Sequence, residues 1–291
     1  MRTIQLYKGT LELPEDWMEL NEKQRRKGFE LLAGVMTGTI EPFIWQLQML
    51  LEITGYKMGR KFLRELKGYT PHKAVDIISE NLIRLAECLT FAFAVEDNRI
   101  RINYEMHDCP FKLFRSKGVQ PHFVRDRIIS TNLTAGMYAD GLQLLGMLND
   151  PENNDDDRQY YMNQLARVLW RVETNARVPG PTSGELLAVT VWFTGVVLFF
   201  QEHDIYSVLF DINGGEKEQV EGHISLGVQE IILELTANGY PDARNMNLLE
   251  FFDAQIKMLK DRISDAKSSG TETTDLVKKT GLPLSTILRL S

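Results

Sequence analysis

The chain has little of what usually identifies an enzyme or a metal protein. Only two of its 291 residues are cysteine, Cys88 and Cys109. That is too few for a disulfide framework or an all-thiolate zinc site, and it fits a reducing compartment. The five histidines, His72, His107, His122, His203 and His223, show no ligand spacing such as HExxH. His107-Asp108-Cys109 sets three ligand types side by side, but neighbouring residues do not converge easily on one ion, and the triplet reads as a loop. No GxSxG nucleophile elbow and no Walker A loop occur, and Gly214-Gly215 lacks the strand–GxGxxG–helix setting of a dinucleotide site. Glu230 and Glu234 stand four apart on one predicted helix face. They would divide acid and base roles only if their surroundings separated their pKa values, so they read as a solvent stripe. No catalytic residue, metal or cofactor is expected.

An excess of positive charge is missing too. Lys and Arg number 33 against 40 Asp and Glu, a net charge of -7, which argues against a protein that coats nucleic acid through a uniform field. No long apolar segment precedes Pro14, so no secretory signal is expected. One long apolar run stands out, Leu186–Phe200 (LLAVTVWFTGVVLFF). Its 15 residues, about 22 Å as a helix, fall short of the roughly 20 residues that cross a bilayer. Glu185 precedes it and Gln201, Glu202, His203 and Asp204 follow at once. It reads as the central buried helix of a core, not a membrane contact, with His203 as a cap at its C-terminus.

What is present is ordinary globular composition, 43% apolar and 25% charged, in a chain long enough for one large domain or two smaller ones. Ile4 and Leu6, then Leu11 and Leu13 around Gly9-Thr10, alternate like a short hairpin ended by Pro14. Trp17, Met18 and Leu20 would anchor the linker that follows. Asn21 with Gln24 three positions on is a helix-cap signal, and the basic cluster Lys23, Arg25, Arg26 and Lys27 should face solvent. Phe43, Leu47 and Leu50, with Ile44 and Leu51 widening the same face, mark an amphipathic helix over Glu41–Ile53 that stops near Gly55. Thr70-Pro71 opens another, with Val75, Ile78, Leu82, Leu85 and Leu89 on one face. Phe91, Phe93 and Val95, then Ile100, Ile102 and Tyr104, alternate about Glu96-Asp97-Asn98, the best hairpin signal in the chain. Helices follow over Thr134–Leu148 and Tyr160–Glu173, separated by the acidic loop PENNDDD, whose Asp155, Asp156 and Asp157 suit a helix N-terminus. Further helices cover Gln219–Leu235 and Asn247–Lys267. The predicted fold is mainly α, a multi-helix globular protein with a small antiparallel β element. Its expected organisation is a β segment and linker over 1–20, a helical region over 21–178 with the hairpin near 91–105, a helical core over 185–267, and a terminal helix pair over 268–291.

Two stretches carry candidate contacts. Phe111, Phe114, Arg115, Phe123 and Arg125 mix aromatic and basic residues between glycine and proline breaks, a composition suited to anchoring a protein partner, as is Trp17. The terminal TDLVKKTGLPLSTILRLS resembles the helix-turn-helix core of bacterial transcription regulators, with Leu276, Gly281, Leu282, Ser285, Thr286, Ile287 and Arg289 in matching places. That resemblance implies DNA contacts through Lys278, Lys279, Ser285, Thr286 and Arg289. Against it, Thr271–Ser291 sets three basic residues against Glu272 and Asp275, and Pro283-Leu284 offers no base-reading side chain. Packing or protein docking is the preferred reading of this tail.

The order of segments carries a second resemblance. LPEDWMELNEKQ after a short β start, NLTAGMYADGLQLL over Asn132–Leu145, YYMNQLARVLWR over Tyr161–Arg171 and NLLEFFDAQIKMLKDRI over Asn247–Ile263 together resemble an uncharacterised group of proteins from phages and prophages of gut Bacteroidota, often encoded among virion or tail genes. The resemblance implies a non-enzymatic virion or tail-assembly protein, a homo-oligomer whose partners are other assembly proteins, found in the virion or in host cytoplasm during assembly. The alternative is a DNA-binding regulator or packaging adaptor that uses the terminal helix pair.

Overall fold

The structure, a computed structural model, describes residues 1–6, 9–55, 80–96, 99–106, 108, 110–111, 130–171, 180–210, 223–270, 275–277 and 284–290. They form a mainly α fold with two small antiparallel sheets of two strands each. Two compact units divide the chain. The first is Met1–Val119 with Val172–Trp192, and the second is Gln120–Arg171 with Phe193–Ser291.

In the first unit, β1 (Arg2–Leu6) pairs antiparallel with β2 (Gly9–Leu13), with Ile4 opposite Leu11 and Thr3 opposite Glu12. The alternation sets Leu13 in the interior while Thr3, Gln5, Thr10 and Glu12 are exposed. Asp16 then caps a short turn over Trp17–Glu19, accepting the Met18 N–H at 2.7 Å. α1 (Glu22–Met36) begins with the expected cap: the Asn21 side chain accepts the Gln24 N–H, and the Gln24 side chain accepts the Asn21 N–H, both at 3.0 Å. α2 (Pro42–Thr54) starts on proline and ends where Gly55 takes a φ of 67°, the left-handed conformation that glycine adopts without steric cost. It buries Ile44, Trp45, Leu47, Gln48, Met49, Leu50 and Leu51, a wider face than its spacing suggested.

An aromatic cluster fills this unit. Trp17 stacks on Phe29 at 4.2 Å and meets Trp45 and Phe91 edge-on at 5.9 and 5.2 Å. Gly28 makes this possible, because a Cβ there would lie 2.9 Å from the Trp17 ring. The Gly28 carbonyl accepts the Trp45 indole N–H at 2.8 Å, so the largest side chain of α2 is both buried and oriented. α3 (Glu80–Glu87) packs on α2 and leads to β3 (Phe93–Glu96) and β4 (Arg99–Ile102), paired with Phe93 opposite Ile102. The hairpin is the predicted one. Thr70-Pro71, Val75 and Ile78 fall outside the described residues.

The second unit is built on α4 (Ala135–Asn149), capped by Thr134, and α5 (Asp155–Trp170), capped by Asn154 with Asp157 reciprocating. The three aspartates suit the helix N-terminus as expected, but they form the first turn of α5 itself, which begins five residues before the expected Tyr160 because Asn154 caps it. α6 (Ser183–Glu202) spans the apolar run; its residues through Trp192 belong to the first unit and those from Phe193 to the second. By length and composition α6 could cross a membrane, yet 72% of its most apolar stretch is buried within the protein. α7 (His223–Ala237) and α8 (Leu248–Ser268) complete the body, and α9 (Leu284–Leu290) packs on α8. A bridge between Thr134 and Asn247 ties the starts of α4 and α8, with the Leu248 N–H bonded to the Leu133 carbonyl at 2.9 Å. Phe252 of α8 is ringed by Tyr138 at 5.6 Å, Phe200 at 4.9 Å and Tyr206 at 5.6 Å. Gly141 lets Phe193 close on α4, since a Cβ there would meet its ring at 2.6 Å.

Candidate functional site

The first unit holds a charged cleft of about 250 Å³ lined by Lys23, Arg26, Lys27, Glu30, Glu52, Phe111, Thr182 and Glu185. The basic cluster of α1 beside it is not all the solvent stripe that the sequence suggested. Lys23 is exposed, but Arg25 and Arg26 are half-buried. The Arg25 guanidinium donates to the carbonyl of Pro110 at 2.7 Å and to that of Leu20. Arg26 bonds Glu22 at 2.9 Å and Glu185 at 2.8 Å, and its guanidinium lies 4.4 Å above the buried Phe111 ring.

Glu185 is only 4% exposed and sits at the third position of α6. Its carboxylate also accepts the Thr182 N–H at 3.0 Å, while the Thr182 hydroxyl accepts the Glu185 N–H at 3.2 Å and donates to Glu30. This is a capping box whose acid also receives Arg26. Gly184 packs against the backbone of Glu30, where a Cβ would lie 2.7 Å from its nitrogen. Together these contacts pin the start of α6 to α1. Most of the charges in the cleft close on one another, which suits a clamp better than proton transfer.

The second unit has a comparable fork. Arg244 binds both Asp140 oxygens at 2.8 Å and the Gln229 side-chain oxygen at 3.1 Å, joining α4, α7 and the turn over Ala243–Asn245. In the same unit, the Tyr206 hydroxyl donates to Asp253 at 3.2 Å. Burial, helped by the Asp253 charge, pushes its pKa up to about 12. Burial likewise raises Tyr138, whose hydroxyl has no partner among the described residues. His203 does not donate back to α6; its Nδ1 accepts the N–H of Ile205 at 3.2 Å, so it shapes the turn after the helix. Glu230 is exposed as expected, whereas Glu234 pairs with Arg262. Among the described residues no group of three His, Cys, Asp or Glu side chains could hold a metal ion. His107 and Cys109 lie outside them.

The candidate contact residues separate sharply. Trp17 and Phe111, considered for a partner surface, are interior, each 2% exposed and packed on Phe29. Their large rings fill space next to α1, which a local reading of composition does not reveal. Phe114, Arg115, Phe123 and Arg125 lie outside the described residues, as do Lys278 and Lys279. Of the candidate DNA contacts, Ser285 lies in α9, Thr286 is fully buried, and Arg289 donates to the Asp204 carbonyl and the Ser207 hydroxyl, both at 2.9 Å. α9 falls near the place expected for the second helix of the tail, but Thr286 turns inward because α9 packs on α8.

The sequence reading missed the side chains that do face outward. Leu233 is 70% exposed, Leu288 64%, Ile205 59% and Leu284 45%. The four-residue spacing of Leu284 and Leu288 was the available signal, since it puts both on one helical face.

No protein-family model matches the chain, and no curated protein or solved structure matches it either.

Proposed function

We propose that this chain is a non-enzymatic virion or tail-assembly protein that works by self-association and by contact with other assembly proteins. The observation that carries the reading is the N-terminal hairpin. β1 and β2 pair in an uninterrupted five-residue register, and among the described residues their sheet has only these two strands. A two-stranded sheet keeps an unpaired row of N–H and C=O groups on each outer edge, and folded proteins usually blunt such edges with bulges, proline or charge. Here the residues exposed along β1 between its ends are the neutral Thr3 and Gln5. Such an edge suits strand addition from another chain. The resemblance of the segment order to proteins encoded among virion and tail genes supports the same reading, as do the outward leucines of α9.

The test is the mass of the purified protein by sedimentation equilibrium, from nanomolar to high-micromolar concentration. A concentration-dependent closed oligomer is expected. A monomer throughout that range, binding duplex DNA with a steep salt dependence, would replace this reading with the regulator or adaptor alternative.

A further inference from the structure

We infer that His203 is a pH-operated latch for α9: the neutral imidazole holds one peptide of the turn after α6 in the orientation that receives Arg289, and its protonation releases α9. The peptide is the one between Asp204 and Ile205. Its N–H donates to His203 Nδ1 at 3.2 Å, and its carbonyl accepts from the Arg289 guanidinium at 2.9 Å. One planar unit is thus gripped on both sides, because the N–H and C=O of a trans peptide point in opposite directions and turn together. The same guanidinium nitrogen donates to the Ser207 hydroxyl at 2.9 Å, and the Ser207 N–H bonds the His203 carbonyl at 2.9 Å.

Only an unprotonated Nδ1 accepts a hydrogen bond. In the charged imidazolium both ring nitrogens are donors, so Nδ1–H faces the Ile205 N–H and the bond is lost. Turning the peptide over relieves the clash by offering the Asp204 carbonyl to Nδ1–H, and the same turn takes that carbonyl away from Arg289. Once His203 is charged, it and Arg289 compete for one acceptor.

The surroundings admit the charge. His203 is half-buried, with its ring 5.0 Å from that of Tyr206 and 5.3 Å from that of Phe199, and aromatic rings attract a cation. Of the charged groups about the turn, Glu202 and Asp204 flank His203 on its own segment, and Asp253 of α8 stands behind the Tyr206 hydroxyl. Arg289 of α9 is the cation that protonation displaces.

α9 depends on this grip. At seven residues it is too short to hold its form without packing. Its inner face buries Ile287 but also the Thr286 hydroxyl, which has no partner among the described residues and so weakens the docking. The Arg289 bonds offset that loss while His203 is neutral.

The experiment follows amide exchange of Leu288, Arg289 and Leu290 in the full-length protein, as protection relative to unstructured chain at the same pH. It compares about pH 7.5 with about pH 5, between which imidazole ordinarily takes up its proton. Protection should fall about fivefold or more at the lower pH, the order expected for the loss of one hydrogen bond. His203→Asn supplies a side-chain oxygen that accepts the N–H two residues on and does not charge. Its protection should match that of the unmodified protein at the higher pH and persist at the lower. Arg289→Met should show low protection at both, with circular dichroism confirming that the body stays folded. Equal protection of the unmodified protein at the two pH values, or the same fall in His203→Asn, would overturn the latch.

Discussion

Phe252→Ala is expected to lower the unfolding free energy of the second unit by about 3–5 kcal/mol, the usual loss when a buried phenylalanine is truncated. Phe252 is 2% exposed and touches the rings of Tyr138, Phe200, Tyr206, Phe210 and Phe251. Those rings come from α4, α6, α8 and the turn after α6, so no single element can shift to fill the hole. Against a typical total of roughly 5–15 kcal/mol, the variant should show a lower urea midpoint, or no cooperative transition. A loss below about 1 kcal/mol would mean that the ring cluster is not the centre of this unit.

The second large effect is expected at the Arg26–Glu185 pair. Arg26→Met should destabilise the first unit by about 3 kcal/mol, because it leaves a nearly buried carboxylate without its cation. This is the lower end of the roughly 3–5 kcal/mol usual when one partner of a buried pair is removed, since the Arg26 side chain is 31% exposed. The Glu185 carboxylate would keep the Thr182 N–H, and the guanidinium lost from above Phe111 adds a smaller share. Glu185→Gln alone should cost only about 1 kcal/mol, because the amide oxygen can still accept the cap hydrogen bond. The double variant Arg26→Met, Glu185→Gln should then recover most of the first loss. Additive losses in that cycle, read by urea unfolding, would show that the two side chains are not coupled.

Local structure was legible in the sequence wherever a short-range rule decides it. Asn21 with Gln24, Asn154 before three aspartates, Gly55 after α2 and the alternation on either side of Asp97-Asn98 each fix a boundary by contacts a few residues apart. The mainly α class and the burial of most of Leu186–Phe200 followed from apolar periodicity and composition. The Thr182–Glu185 capping box was equally readable, three residues apart before the apolar run, though its acid's second partner was not. Arg26 and Glu185 are separated by 159 residues, and Arg244 and Asp140 by 104. No local pattern reports such a pairing. The same limit explains Arg25 and Arg26, which are basic residues in a basic cluster yet are drawn inward by the Pro110 carbonyl, Glu185 and the Phe111 ring. At the tail, spacing located α9, but which side of it faces inward was set by α8.

The burial of α6 against protein rather than lipid is the central feature of the fold. Hydrogen exchange of the Leu186–Phe200 amides, measured in aqueous buffer without detergent, addresses this directly. Those amides should belong to the slowest-exchanging class in the chain, opening only with global unfolding, and phosphatidylcholine vesicles should leave them unchanged. Rapid exchange in buffer, with protection gained only when the vesicles are added, would show that lipid rather than protein covers this helix.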